Sequence, residues 1–193
     1  MDGFALPVKK LKGTDPVETL DLSGKNLGVA SAVVIASLIS VNGGLTATNL
    51  LGNQLDAESA HMLAAVAKQK GISLCGIRRD QTTADYKFLK PPDAILLASD
   101  LSQAVVTGAL TSIDLSRNDL THYGRDMTGI KELAAALGVN GAHDRHEVRK
   151  KHATFDADLS LLQVEVRDGV VAHHLHRYAA NLARAGAGDS CKQ

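Results

Sequence analysis

The chain has 193 residues, 21 Lys and Arg against 21 Asp and Glu, 3% aromatic residues and no Trp. That length suffices for one domain with a sizeable core. Balanced charge gives no overall field toward nucleic acid or an anionic membrane, and scarce aromatics argue against a base-stacking platform.

Cys75 and Cys191 show no metal-ligand spacing, which suits a reducing compartment. Residues 1–7 lack a basic stretch followed by an apolar run. The longest apolar stretch, residues 32–39, is interrupted by Ser37 and is too short to span a bilayer. These features predict a cytoplasmic protein with no membrane or nucleic-acid partner.

Residues 1–14 form a lead-in. From there an eleven-residue pattern, L-x-x-L-x-L-x-x-N-x-L, recurs. Residues 17–27 place Val17, Leu20, Leu22 and Leu27 on its apolar positions. Residues 45–55 place Leu45, Leu50 and Leu55 there, with Asn53 on the Asn position and Thr48 as a polar misfit. Residues 110–120 match throughout, with Leu110, Ile113, Leu115, Asn118 and Leu120. The first two units start 28 residues apart.

A helical pattern follows each strand: Ala32/Ile35/Ala36, Ala60/Leu63/Ala64, Ala94/Leu97/Ala98 and Ile130/Leu133/Ala134. That spacing sets three residues on one helical face. Asp56 and Pro91-Pro92-Asp93 are start signals, and Gly43-Gly44, Gly71 and Gly138 or Gly141 suit helix ends. The middle is irregular. Residues 72–77 read as a third strand with Ile72, Cys75 and Ile77 inward, yet a further strand starts near Thr82–Asp85 with no helix between. The last clear unit carries five extra residues within 121–129.

The segments LDLSGKNL, NLLGNQL and LTSIDLSRNDL, with their following helices, resemble ribonuclease-inhibitor-type leucine-rich repeat proteins over residues 15–141. The resemblance implies an α/β solenoid, here a short right-handed arc, with parallel strands on the concave side and helices on the convex side. It also implies action by binding protein, with no catalytic residue or cofactor to carry over. Stacked units share a core that no single unit can bury, and each buried Leu or Ile contributes roughly 1.5–3 kcal/mol. Leu20, Leu22, Leu27, Leu50, Leu55, Ile113, Leu115 and Leu120 are the structural apolar set. Asn53 and Asn118 satisfy the backbone of the turn after the strand. Lys25 takes that place in the first unit, which reads as an atypical cap.

The outward strand positions form the candidate binding face. They are Glu18, Thr19, Asp21 and Ser23; then Thr46, Ala47, Asn49 and Leu51; then Ser73, Leu74, Gly76 and Arg78; then Thr111, Ser112, Asp114 and Arg117. The sequence runs from acidic through weakly apolar to basic and then mixed, which suits a polar protein partner with apolar contacts at Leu51 and Leu74. The expected function is a non-enzymatic interaction scaffold binding a partner of unknown identity there.

Residues 142–158 are a charged, His-rich linker holding His143, His146 and His152, and the basic run Arg145, Arg149, Lys150 and Lys151. A solvated surface explains both. Residues 159–185 read either as a degenerate repeat, with Leu161, Val164, Val166 and Val171 on its apolar positions, or as a capping strand and helix; residues 186–193 form a disordered tail. His173 and His176 share a face if 172–185 is helical. A small metal-binding protein using these histidines is the alternative reading, as is a fragment of a larger repeat-containing regulatory protein. No P-loop, G-x-S-x-G or H-E-x-x-H motif occurs.

Overall fold

A computed structural model describes residues 3–140, 163–167 and 170–174. It is a mixed α/β structure. In chain order the elements are α1 (Val8–Lys12), β1 (Thr19–Asp21), α2 (Val29–Val41), β2 (Ala47–Asn49), α3 (Ala57–Lys70), β3 (Thr83–Asp85), α4 (Pro91–Leu101), α5 (Ala104–Thr107), β4 (Ser112–Asp114), α6 (Thr128–Asn140), β5 (Gln163–Arg167) and β6 (Val170–His174).

Local sequence shapes the first three long helices. Ala32, Ile35, Ala36 and Ile39 make the buried stripe of α2. The Asp56 carboxylate accepts the Ser59 amide at 2.8 Å to start α3, and Gly71 ends it with left-handed backbone. Pro91 opens α4, where the Asp93 carboxylate accepts the Lys90 amide at 2.8 Å.

The strands are short, and β1 to β4 pair in parallel. β1 pairs with β2 in register Leu20 to Thr48, and β3 pairs with β4 in register Ala84 to Ile113. Residues 73 and 75 make only isolated bridges to β2, so the segment 72–77 is an attached edge and not a full strand. The ladder stops there. β3 opens a second sheet, in the order β3-β4-β5-β6.

The break reflects the missing helix. With no helix between residues 77 and 83, α4 packs against both α3 and α6, and nine of its 11 residues are buried. A helix apolar on all sides must be enclosed. Its two buried acids serve the strand layer. Asp100 Oδ2 accepts the Ser73 hydroxyl at 2.7 Å and the Cys75 amide at 2.9 Å, while Oδ1 accepts the Leu74 amide at 2.8 Å. These amides face away from β2 and would otherwise seek the next strand. Asp93 Oδ1 accepts the Gly52 amide at 2.9 Å. The Tyr86 hydroxyl donates across the break to the Cys75 carbonyl at 3.2 Å.

The two motif asparagines make equivalent bonds. Asn53 Oδ1 accepts the Lys25 and Leu27 amides, both at 3.0 Å, and its Nδ2 donates to the Leu22 and Leu50 carbonyls at 2.9 and 2.7 Å. Asn118 Oδ1 accepts the Leu89 amide at 2.7 Å, and its Nδ2 donates to the Tyr86 and Leu115 carbonyls, each at 2.8 Å. In the lead-in, Asn42 Nδ2 holds the Lys10 and Leu11 carbonyls at the end of α1.

After each of the four strands β1 to β4, the third residue beyond the strand turns the chain with positive φ: Gly24, Gly52, Phe88 and Arg117. Glycine adopts this backbone freely, whereas another residue there costs about 1–3 kcal/mol.

The C-terminal part differs from the expected repeat. β5 and β6 form an antiparallel hairpin, and β5 runs antiparallel to β4. β6 continues through His174, so no helix begins at 172. Strand alternation in 161–171 fits a hairpin as well as a repeat strand, because both have a period of two.

Candidate binding surface

The strand face brings together six of the expected outward positions. A hollow of about 250 Å³ is lined by Thr19 and Asp21 of β1, Ala47 and Asn49 of β2, and Gly76 and Arg78 beyond the bridged edge. Asp21, Asn49 and Arg78 thus come from three successive segments of the layer. Gly76 keeps the hollow open. Its φ is +74°, and a Cβ there would lie 3.1 Å from Asn49 Cβ.

Local turns orient two of these side chains. Asp21 Oδ1 accepts the Ser23 amide at 3.0 Å and the Ser23 hydroxyl at 2.7 Å. The amide bond, then the hydroxyl, holds the Asp21 carboxyl below the usual range and so ionised. Asn49 Oδ1 accepts the Leu51 amide at 3.2 Å, and Asp114 Oδ1 accepts the Ser116 amide at 2.8 Å. These Asx turns close β1, β2 and β4 in the same way. Arg78 is exposed, and its only ion pair among the described residues is a solvent-exposed one with Asp80 at 3.7 Å. Such a pair is weak, so the guanidinium remains available.

The other expected residues fall elsewhere. Glu18 is exposed just before β1, outside the hollow. Asp114 is half-buried in β4 of the second sheet, and Arg117 is exposed in the turn after it. Leu51 and Leu74 are not surface contacts: they are 6% and 0% exposed, and Ser73 is also fully buried. For Leu51, the Asx turn at Asn49 ends the strand before alternation reaches it. For Ser73 and Leu74, the missing helix brings α4 and Asp100 beneath their segment. Of the structural set, Leu22, Leu27, Leu50, Ile113, Leu115 and Leu120 are buried, while Leu20 and Leu55 are half-buried against the core. Asn53 is buried and Asn118 half-buried.

The acids that hold the layer, Asp93 and Asp100, were not anticipated as a pair. Asp93 sits in a recognisable helix start. Asp100 carries no signal, since a lone acid on a helix ordinarily marks the solvated face.

A second concavity, about 440 Å³, lies on the helix side between α3, α4 and α6, lined by Ala64, Ala98, Ser99 and Ala136. His61 and Glu132 meet at 3.2 Å beside it.

Reactive chemistry has little support in these groups. Burial raises the Cys75 thiol well above its ordinary pKa, and nearby Asp100 and Asp93 add to this, so it stays protonated. Burial likewise raises Tyr86. Among the described residues no three His, Cys, Asp or Glu side chains are grouped to hold a metal. His143, His146, His152, His176 and the basic run 145–151 lie outside the described residues, and His173 sits in a strand. No helix among the described residues is long and apolar enough to cross a membrane.

No family model matches the chain, and none of the curated proteins matches it in sequence.

Proposed function

We propose that the chain is a short leucine-rich repeat arc of the ribonuclease-inhibitor-like type, and that it is a non-enzymatic scaffold binding a protein partner on its strand face. The equivalent bonding of Asn53 and Asn118 supports the repeat reading. So do the parallel pairings of Thr19 with Ala47 and of Thr83 with Ser112.

The observation that carries the binding reading is the shared hollow of Asp21, Asn49 and Arg78. A carboxylate, a carboxamide and a guanidinium in one concavity can pair with both signs of charge and with peptide groups. That combination fits a polar protein segment and sets its orientation.

The test uses a photo-crosslinking residue at Thr19, which is exposed and lines the hollow. In cell extract it is expected to capture a defined protein. Asp21→Lys with Arg78→Glu should abolish capture and leave the circular dichroism unchanged, because both side chains are exposed. Capture that survives this double reversal, or that arises equally from Lys68 on α3, overturns the strand-face assignment.

A further inference from the structure

The turn after each strand holds one side-chain position that the fold does not use. At Gly24 a Cβ would meet nothing within 4 Å, and at Gly52 nothing closer than 3.8 Å. In the next two turns this position is taken by Phe88 and Arg117, with φ of 62° in both. Phe88 is 82% exposed. It therefore combines a strained backbone with an apolar ring in water and gains no packing in return. Tyr123 repeats the combination in the insertion after β4, with φ of 55° and 85% exposure. Neighbouring His122 is also left-handed, at 47°, and its ring meets that of Tyr123 edge-on at 6.0 Å.

The rings rise from one loop cluster. The Phe88 amide donates to the Arg117 carbonyl at 3.4 Å, and the Asp119 amide donates to the Leu89 carbonyl at 3.0 Å. Asp119 Oδ1 in turn accepts the Tyr123 amide at 2.9 Å. Around them, Lys90, Arg117 and Arg125 make no ion pair within 4 Å among the described residues. The local acids are committed: Asp85 pairs with Lys87 at 2.8 Å, and Asp119 and Asp126 accept backbone amides.

We propose that this loop rim, with Phe88 and Tyr123 as anchors and Arg117, Arg125 and Lys90 beside them, is a second docking surface for a protein segment whose apolar side chain is flanked by carboxylates. Aromatic and Arg side chains dominate binding energy where they can be desolvated. Lys90 faces Asp93 and Arg117 faces Asp114 only at longer range, so the cations still select acidic neighbours. Asp85, Asp119 and Asp126 lie among the cations, so a continuous polyanion or an anionic bilayer would meet repulsion as well as attraction. Separated carboxylates on a peptide can avoid it.

The full chain would be screened against a peptide array of acidic–aliphatic, basic–aliphatic and uncharged polar dodecamers. The tightest peptide would then be measured by fluorescence polarisation. Acidic–aliphatic peptides should bind preferentially. Phe88→Gly with Tyr123→Gly should weaken binding at least tenfold while Tm stays level or rises, because glycine relieves the backbone. Asp21→Lys with Arg78→Glu should bind these peptides like the parent, so the rim and the strand face succeed or fail separately. Four results overturn the proposal: no preference for acidic–aliphatic peptides, unchanged affinity in the glycine variant, a fall in its Tm showing that the rings support the fold, or tighter binding to phosphatidylserine vesicles or oligo(U) than to any peptide.

Discussion

The Asp100 carboxylate accepts the Ser73 hydroxyl at 2.7 Å inside the protein, at the point where the first β-ladder stops. A helix side chain thus completes what a neighbouring strand would ordinarily supply. Burial raises the Asp100 pKa from 3.8 to about 6, outweighing the bonds from Leu74, Ser73 and Cys75 that favour the anion. A carboxyl with a raised native pKa binds its proton more tightly in the folded than in the unfolded chain. Its contribution to stability is therefore full below pH 3.8 and is lost as pH rises through about 6. Asp93, raised by burial, acts in the same direction. Asp21, Asp56 and Asp114, lowered chiefly by bonds from Ser23, Ser59 and Ser116, act oppositely and at lower pH. The unfolding free energy of the parent relative to Asp100→Asn should fall by roughly 2–3 kcal/mol across the Asp100 window. Urea titrations at a series of pH values check this; a constant difference would show that Asp100 does not titrate there.

Asn53→Ala removes four hydrogen bonds from a buried turn. Unsatisfied buried groups cost about 1–3 kcal/mol each, partly relieved where water reaches them. A loss of about 2–4 kcal/mol is expected on that basis. Asn118→Ala should lose less, because its site is half-buried. Chemical denaturation of the two variants gives the order directly.

Gly129→Ala should lower Tm, against the usual gain from replacing a helical glycine by alanine. A Cβ at Gly129 would overlap the Pro91 carbonyl oxygen and lie 2.8 Å from Ala94 Cβ. The new methyl forces α6 away from α4, and overpacking of this kind costs about 1–3 kcal/mol. A raised Tm would show that the contact yields without cost.

Leu74→Ala should act on stability and not on partner capture at Thr19. The side chain is fully buried, and such truncations cost about 2–5 kcal/mol. A variant as stable as the parent would place Leu74 on the surface after all.

Periodicity made most of the secondary structure legible. The positions of β1, β2 and β4 and the buried stripes Ala32/Ile35/Ala36 and Ala94/Leu97/Ala98 follow from alternation and from helical spacing. Alternation fails where the chain stops behaving as a regular strand. Leu51 lies beyond a side-chain turn, and Leu74 lies in a segment whose helix is missing; neither event changes the pattern of apolar letters. Counting strand positions set Asp21, Asn49 and Arg78 on one face, but the hollow between them depends on the Gly76 backbone, which the pattern does not encode. Phe88 and Tyr123 were not legible, because their distinction is a backbone angle and an exposure, and both read in sequence as ordinary apolar residues.

The long-range side-chain bonds to turns and strand ends share a direction along the chain. Asn42 holds the carbonyls of Lys10 and Leu11, Asn53 holds Leu22 through Leu27, and Asp93 holds Gly52. Asp100 holds residues 73–75, and Asn118 holds Tyr86 and Leu89. Every one of these turns is finished by a side chain that comes later in the sequence. During synthesis, at about 5–20 residues per second, a turn leaving the ribosome waits a few seconds for the residue that closes it. A chain truncated after any one of these turns lacks the side chain that closes it.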